Sequence, residues 1–504
     1  MTTIDDILKV IKEKNENEKN EIDIDLIVKA WEFAAVAHQN QKRLSGEEYI
    51  IHPLETAYTL AKMGMDTETI VAGLLHDIPE ETEFSIDNIK DEFGSNIASL
   101  VSGVTKIGQI KYRGVERYAE NLRKMFIATS KDVRVIIIKF ADRIHNLKTL
   151  KYHPNKEKRY RIALESLEIY APIAARLGMY KIKEQIEDLS FKHVYPKEYN
   201  WAKKQLKSQI EERVESLKKT KKALINILNK NNIEFTSVYG RKKKLYSLYQ
   251  KLLRKDKDIQ KIYDLIAIRV ITKNSNDCYT ILGLIHNNWH ALNGRVKDYI
   301  SQPKPNKYQS LHTTIFNEDN NPVEIQIRTQ EMEIEAEFGI AAHWRYKSAI
   351  NAKIDPKKIK WIKELVKWQE KIRNNKDYLR SIKINTDIFK SKIFIFTPKN
   401  DVIELPEQST PIDFAYHIHT DVGNKCIGVK INNKMAKLDT ELKNGDIVEI
   451  MTDKNRKTPN PDWLNFAKTN TARQRIKNKL SQLEESSKNG ILNKTIKYIK
   501  NKRQ

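Results

Sequence analysis

Between residues 22 and 228 apolar side chains return every three or four positions and strict alternation is nearly absent, so the spacing predicts a run of amphipathic helices. In "DVRVIIIKFADRIHNLKTL", Val133, Ile136, Ile137, Phe140, Ile144 and Leu147 make one stripe. "WAKKQLKSQIEERVESLKKTKKALINILNK" predicts one long helix, with Leu206, Ile210, Val214 and Leu217 along one side and its lysines solvated. From residue 233 to 346 the period changes. "DLIAIRVIT" and "PVEIQIRT" read as strands separated by helical segments, the pattern of an α/β or α+β domain. A lysine-rich helical stretch follows at 356–374. Residues 391–451 then read as a small β-rich domain, with turn signals at 398–401, 432–433 and Asn444-Gly445. The basic end is predicted helical, and no internal repeat is visible. The expected fold class is multidomain α and α/β, divided at 1–195 (all-helical), 196–232 (connecting amphipathic helix), 233–350 (α/β), 351–388 (helical linker), 389–453 (small β domain) and 454–504 (basic helical tail).

Composition changes this picture in two ways. A net charge of +24 over 504 residues favours anionic partners such as nucleotides, RNA or acidic lipid. The excess is spread along the whole chain, so it equally fits a general lysine bias. Cys278 and Cys426 stand far apart without a partner motif, which excludes a disulfide framework or a cysteine zinc site and fits a reducing cytosol. The polar start "MTTIDDILKVIKEKNENEKN" lacks a signal-peptide core, and no apolar run reaches the ~18 residues of a membrane span. The expectation is a soluble, cytoplasmic protein with no membrane contact.

Candidate chemistry concentrates in two places. In the helical part, "RLSGEEYIIHP" places Arg43 and His52 before a helix, and "GLLHDIPEETEF" places His76 and Asp77 at a helix end. "KFADRIHNL" adds Asp142 and Asn146 on one helical face. Two histidines and two aspartates can hold one divalent ion, of a kind closer to Mn²⁺, Fe²⁺ or Zn²⁺ than to Ca²⁺. The order His52, His76-Asp77, Asp142 in an all-helical segment resembles the HD phosphohydrolase superfamily. The phrases around it narrow the resemblance to the hydrolase domain of long RelA/SpoT homologues, which make and degrade the alarmone (p)ppGpp. The resemblance implies Mn²⁺ on His52, His76, Asp77 and Asp142, substrate contacts from Arg43 and Asn146, and water orientation by Glu80 and Glu81. The chain departs from the family pattern at Glu81 (usually Asp), at Leu44 (usually Lys) and at Pro79 (usually aliphatic). Pro79 is expected either to end the helix there or to move Glu80 and Glu81.

In the α/β part, "GRKKKLYSLYQKLLRK" reads as a helix with Arg241 at its start and Lys243, Ser247 and Lys251 on one face. In "PVEIQIRT" period two puts Glu324, Gln326 and Arg328 on one face and Val323, Ile325 and Ile327 on the other. Asp264 and Arg269 lie on the neighbouring strand segment. The loop "GRVKDYISQPKPNKYQSLHTT" supplies cations for phosphates and, at Tyr308, a ring that can stack on a base. Carboxylates beside two basic clusters suit a magnesium-nucleotide site with a second anionic substrate. There is no GxxxxGK[ST] loop. This stretch, with "VEIQIRT" and "FGIAAHWRYK", is similar to the nucleotidyltransferase-like synthetase domain of RelA/SpoT enzymes. The resemblance implies pyrophosphoryl transfer from ATP to the 3′-OH of GDP or GTP. Asp264 and Glu324 would hold Mg²⁺, with Glu324 alternatively drawing the 3′-OH proton. Arg241, Lys243, Ser247, Lys251 and Arg269 would hold ATP. Lys297, Lys304, Asn306, Tyr308 and His312 would hold the guanine nucleotide. Arg295-Val296-Lys297-Asp298 matches the basic motif that the family links to bifunctional enzymes.

The segment from "FTPKND" to "VEIMT" resembles the family's TGS domain, a β-grasp module whose implied role is to sense uncharged tRNA on the ribosome, with His419 near the tRNA end. The same segment also reads as a ligand-free packing unit. The leading expectation is a bifunctional (p)ppGpp synthetase and hydrolase. The alternatives are a synthetase with an inactive HD domain, a non-catalytic ribosome- or tRNA-binding regulator, and an ordinary nucleotidyltransferase that moves AMP.

Overall fold

A computed structural model describes residues 2–15, 22–105, 125–253, 265–304, 308–342, 392–398, 401–443, 445–453 and 458–482, together with 255, 257–259, 262, 455 and 456. The chain divides into two compact units, Met1–Leu379 and Arg380–Gln504. The expected linker helix at 351–388 lies outside the described residues, as do Asp264 and Asn306. Among the described residues no helix is long and apolar enough to cross a membrane.

The first unit begins with α1 (Ile4–Asn15), α2 (Ile24–Ala37), α3 (Ile51–Met63), α4 (Thr67–Leu75), the single turn α5 (Ile78–Glu81), α6 (Ile86–Phe93) and α7 (Ser95–Val104). Their ends are written locally. Asp23 and Asp66 cap α2 and α4 by accepting from Leu26 N and Thr69 N, Ser85 and Asn88 form a capping box on α6, and Gly64 closes α3 in the left-handed region. Then comes α8 (Arg134–Thr149). Its predicted stripe is buried, but so are Ile138, Lys139, Asp142 and His145, so α8 is a central helix surrounded by its neighbours. Lys139 and Asp142 tolerate this because they pair, Nζ to Oδ2 at 3.2 Å.

Beyond α8, α9 (Lys156–Glu165) and α10 (Ala171–Arg176) lead to α11 (Tyr180–Val194) and the 35-residue α12 (Pro196–Lys230). The long helix falls where its periodicity predicts. Leu217, Leu224 and Leu228 pack it onto a five-stranded sheet, so it belongs to the α/β core. The sheet comprises β1 (Ser237–Lys242), β2 (Ile266–Thr272), β3 (Lys297–Asp298), β4 (Leu311–Phe316) and β5 (Pro322–Thr329), in the order β1-β2-β5-β4-β3. Only β2 and β5 are parallel. Helices α13 (Leu245–Leu253), α14 (Ser275–Asn288) and α15 (Gln330–Phe338) complete it.

Two elements differ from the sequence expectation. Residues 237–242 form strand β1, so Arg241 sits on a strand opposite Ala267 instead of at a helix start, and Lys243 precedes α13. The basic run hides a strand whose alternation is only six residues long, too short for a periodicity signal. Strand β4 is hidden in the same way within "LHTTIF".

In the second unit, hairpin β6 (Lys392–Phe396) and β7 (Val402–Pro406) joins α16 (Pro411–Ile418), the turn α17 (Thr420–Asn424), and the sheet of β8 (Cys426–Ile431), β9 (Lys434–Ala436) and β10 (Val448–Thr452), ordered β10-β8-β9. A parallel bridge between Phe396 and Ile447 links the two strand groups. The segment expected as a basic tail continues this unit. After α18 (Trp463–Phe466), residues 470–482 are helical, and Trp463, Ala472 and Ile476 pack on Ile412, Tyr416 and Cys426. Buried Asp413 ties the two parts, accepting from Thr410, from Lys468 N at 3.0 Å and from Thr469 N at 2.7 Å.

Candidate active sites

The first site forms where three helix ends meet the middle of α8. His52 is the second residue of α3 and so lies inside the helix instead of before it, and His76 ends α4. His52 Nε2 is 3.2 Å from Asp77 Oδ2 and 3.4 Å from Asp142 Oδ1. His76 Nε2 is 3.2 Å from Asp77 Oδ1 and 4.0 Å from Asp142 Oδ1. Metal–ligand bonds of about 2.1 Å put donor atoms roughly 3 to 4.2 Å apart, from adjacent to opposite positions, so this spacing fits one ion. The proton positions agree. His76 Nδ1 lies 2.9 Å from the Gly73 carbonyl, which can only accept. The proton is therefore on Nδ1, and Nε2 is a bare, buried nitrogen without a hydrogen-bond partner. An orphaned lone pair aimed at two carboxylates is what a cation would satisfy. Burial alone would raise both carboxyls. The Lys139 ammonium beside Asp142 holds its carboxyl well below the usual carboxylate range.

The expected substrate residues sit beside this cluster. Arg43 Nη2 donates to Asn146 Oδ1 at 2.8 Å, and Asn146 donates onward to Asp142. Pro79 occupies the first turn of α5, where no amide proton is needed, and Glu80 and Glu81 both bond back to the Asp77 carbonyl at 3.1 and 3.0 Å. The proline starts this turn and keeps the two glutamates next to Asp77. Glu81 and Leu44 are exposed.

Three residues here escaped the sequence reading. Tyr49 donates to Asp77 Oδ2 at 3.0 Å and stacks on His38. Lys139 backs Asp142, and His145 lies 2.7 Å from His52, Nδ1 to Nδ1. Burial, then His52 and Arg43, push the His145 pKa down to about 3, so the ring is neutral. Lys139 and His145 stand three positions either side of Asp142 on one helix, a spacing that could have flagged them.

The second site is a cleft of about 570 Å³ on the polar face of the sheet. The register explains it. Tyr239, Arg269, Gln326, His312 and Lys297 stand directly opposite one another across β1, β2, β5, β4 and β3. The alternate residues Val323, Ile325 and Ile327 face the apolar core, as predicted. The described lining holds nine lysines and arginines against three glutamates, an excess suited to polyphosphates. Arg241, Lys251, Arg269, Lys297, Lys304, Tyr308, His312 and Glu324 all line it, whereas Lys243 and Ser247 do not.

Within the cleft, His312 Nδ1 is 3.0 Å from Glu324 Oε1, and its Nε2 is 2.9 Å from the Tyr308 hydroxyl. Gln326 donates to the same Glu324 oxygen at 2.9 Å. A hydrogen-bonded chain therefore runs from Tyr308 through His312 to Glu324. Burial lowers the His312 pKa despite Glu324, which keeps the ring neutral. Lys304 lies 4.6 Å from the Tyr299 ring centroid and 5.0 Å from that of Tyr308. Several cations are already paired. Arg241 bonds Glu184 of α11, and Arg269 and Arg328 both bond Glu333 of α15. Glu184 and Glu333 were not found by sequence reasoning, because their partners Arg241 and Arg269 are distant in the chain, and Tyr299 was passed over within the loop. In the second unit His419 is exposed at the junction of α16 and α17, where its Nδ1 accepts from Asp421 N at 3.2 Å.

Three sequence families cover these regions. The HD domain matches residues 30–180, the region found in RelA / SpoT proteins matches 240–351, and the TGS domain matches 393–452. Similar proteins include the guanosine-3′,5′-bis(diphosphate) 3′-pyrophosphohydrolase of Borreliella burgdorferi, 43% identical over 467 residues that cover 92% of this chain and 69% of that protein. Its namesake in Aquifex aeolicus is 46% identical (91% and 65% covered), and the GTP pyrophosphokinase of Myxococcus xanthus is 45% identical (91% and 61% covered). The chain thus spans less than two thirds of the length of the latter two.

Proposed function

The chain belongs to the RelA/SpoT family, and from that premise we propose that it is a bifunctional alarmone enzyme acting in the cytoplasm. In the synthetic direction the ribose 3′-oxygen of GDP or GTP attacks the β-phosphorus of ATP. The bond from that phosphorus to the α,β-bridging oxygen breaks, AMP leaves, and (p)ppGpp forms. In the hydrolytic direction water attacks the phosphorus attached to the 3′-oxygen, and GDP or GTP and pyrophosphate separate. Synthesis and hydrolysis on one chain need two sites, and the observation that carries this reading is that there are two: a cluster of buried metal-type donors, and a cation-rich cleft with a carboxylate at its floor.

In the hydrolase site His52, His76, Asp77 and Asp142 would hold Mn²⁺, which when bound supplies a Lewis acid and a more acidic water. Arg43 and Asn146 bind and orient the substrate's phosphates. Glu80 and Glu81 hold the attacking water and take its proton. In the synthetase site Glu324 takes the 3′-OH proton, and with Asp264 it would hold Mg²⁺, which neutralises phosphate charge. His312 and Gln326 keep Glu324 oriented. Arg241, Lys251 and Arg269 bind ATP, with Lys243 and Ser247 more peripheral. Lys297, Lys304, Asn306 and His312 bind the guanine nucleotide, with Tyr308 under the base. The TGS unit, with His419, would engage uncharged tRNA on the ribosome. The position of Pro79 favours a working hydrolase over a synthetase with an inactive HD domain.

The test is product analysis with the purified chain. ATP and GDP should yield AMP and ppGpp, which separates this reaction from AMP transfer with pyrophosphate release. With Mn²⁺, ppGpp should yield GDP and pyrophosphate, and His76→Ala should lose only that second reaction. GDP-independent ATP consumption, or none, would refute the synthetic half.

A further inference from the structure

We infer that His145 is a positioning residue for the metal: it accepts the Nδ1 proton of His52 and so leaves Nε2 of His52 as the nitrogen that binds the ion. This rests on reading the four-residue cluster as a metal site. His145 is buried on α8, one turn after Asp142. Its Nδ1 is 2.7 Å from His52 Nδ1, and the ring centroids are 5.0 Å apart with planes 27° from parallel. A centroid distance that equals the nitrogen separation plus one ring radius on each side means that the rings meet edge to edge. The contact is therefore a nearly in-plane N–H···N hydrogen bond, whose single proton belongs to one ring or the other.

A third side chain decides the direction. Arg43 Nη1 lies 3.4 Å from the same His145 nitrogen. A guanidinium has donors and no acceptor, so the nitrogen it faces must carry the lone pair. The shared proton then rides on His52 Nδ1. With one proton fixed on Nδ1, Nε2 beside Asp77 and Asp142 is the nitrogen of His52 that gives up its proton to bind a divalent ion. His145 thus does for His52 what the Gly73 carbonyl does for His76. The two differ in kind, because a carbonyl can only accept while an imidazole could also donate. Arg43, held on its other nitrogen by Asn146 Oδ1 at 2.8 Å, removes that ambiguity. The substrate-side arginine and the metal ligand therefore meet at one ring.

The experiment is Mn²⁺ titration of the full chain, followed by the electron paramagnetic resonance of the free ion, so that no turnover is needed. His145→Met and His145→Gln have similar volume, but only Gln carries a carbonyl acceptor. Loss of an outer-shell partner typically weakens metal binding about 10- to 100-fold, and that is the loss expected for Met, with Gln returning close to wild type. Equal affinity in the two variants overturns the proposal. Failure of the wild type to bind Mn²⁺ overturns the metal reading beneath it, a distinct result. Should both variants unfold, ¹⁵N imidazole shifts of the wild type decide: a proton on His52 Nδ1 supports the assignment, and a His52 Nδ1 without a proton refutes it.

Discussion

The helical cluster and the sheet cleft, the two sites of the proposed phosphate chemistry, gather charge by opposite means. In the cluster the donors are buried and almost every polar atom has a near neighbour that fixes it: Lys139 on Asp142, Tyr49 on Asp77, the Gly73 carbonyl on His76. Folding has already met the cost of bringing them together. In the cleft the cations line a wide cavity, and some are held by carboxylates of the chain itself, Glu184 on Arg241 and Glu333 on Arg269 and Arg328. A nucleotide binding there, as proposed, would exchange one set of ion pairs for another. Under the proposed function the difference teaches that a small ion would be met by a site preorganised for it, whereas two large polyphosphates would be met by a surface kept neutral enough to fold until they arrive.

The sharpest way to break this comparison is to disable each site alone. Asp142→Ala should cut ppGpp hydrolysis by more than about a hundredfold, beyond what loss of an outer-shell partner does, and leave synthesis near the wild-type rate. Glu324→Gln should cut synthesis by about 10²- to 10⁴-fold and spare hydrolysis. Parallel loss of both rates from either variant would mean that the sites are not separable. Next in size is Lys139→Met. Removing one partner of a buried pair costs about 3–5 kcal/mol, so denaturant unfolding in EDTA should show a loss of that order. A change below about 1 kcal/mol, within the range of a surface pair, would contradict preorganisation.

A smaller effect is expected at Glu184. A partly exposed ion pair is worth about 0.2–1 kcal/mol, so Glu184→Gln should lower KM for ATP by at most about fivefold with kcat little changed. A raised KM would show that Glu184 helps to hold the nucleotide. A pH-dependent effect concerns α11, which touches both α8 and α13. Burial, then Lys192 and Arg159, lower the His193 pKa from 6.5 to about 4. As pH falls the unfolded chain takes up this proton first. The stability His193 contributes is thus complete above pH 6.5 and is lost progressively toward pH 4. Melting curves from pH 7 to 4.5 should fall less steeply in His193→Gln, and identical slopes would remove His193 from the account.

The sequence alone determined what depends on neighbours in the chain. The 3.6-residue period located α8 and α12, period two put Glu324, Gln326 and Arg328 on one face of β5, and the spacing of His52, His76-Asp77 and Asp142 marked the metal-type donors. Periodicity says which face a residue occupies and not what it meets there. Only the tertiary structure decided that His145 reaches back 93 positions to His52, that Arg241 lies on a strand and pairs with Glu184, and that five strands align Tyr239, Arg269, Gln326, His312 and Lys297 in one row. It also decided that Asp413 draws residues 468 and 469 into the second unit. Strand register and buried polar pairing are settled by hydrogen bonds between distant segments, and those bonds exist only once the core has brought the segments together.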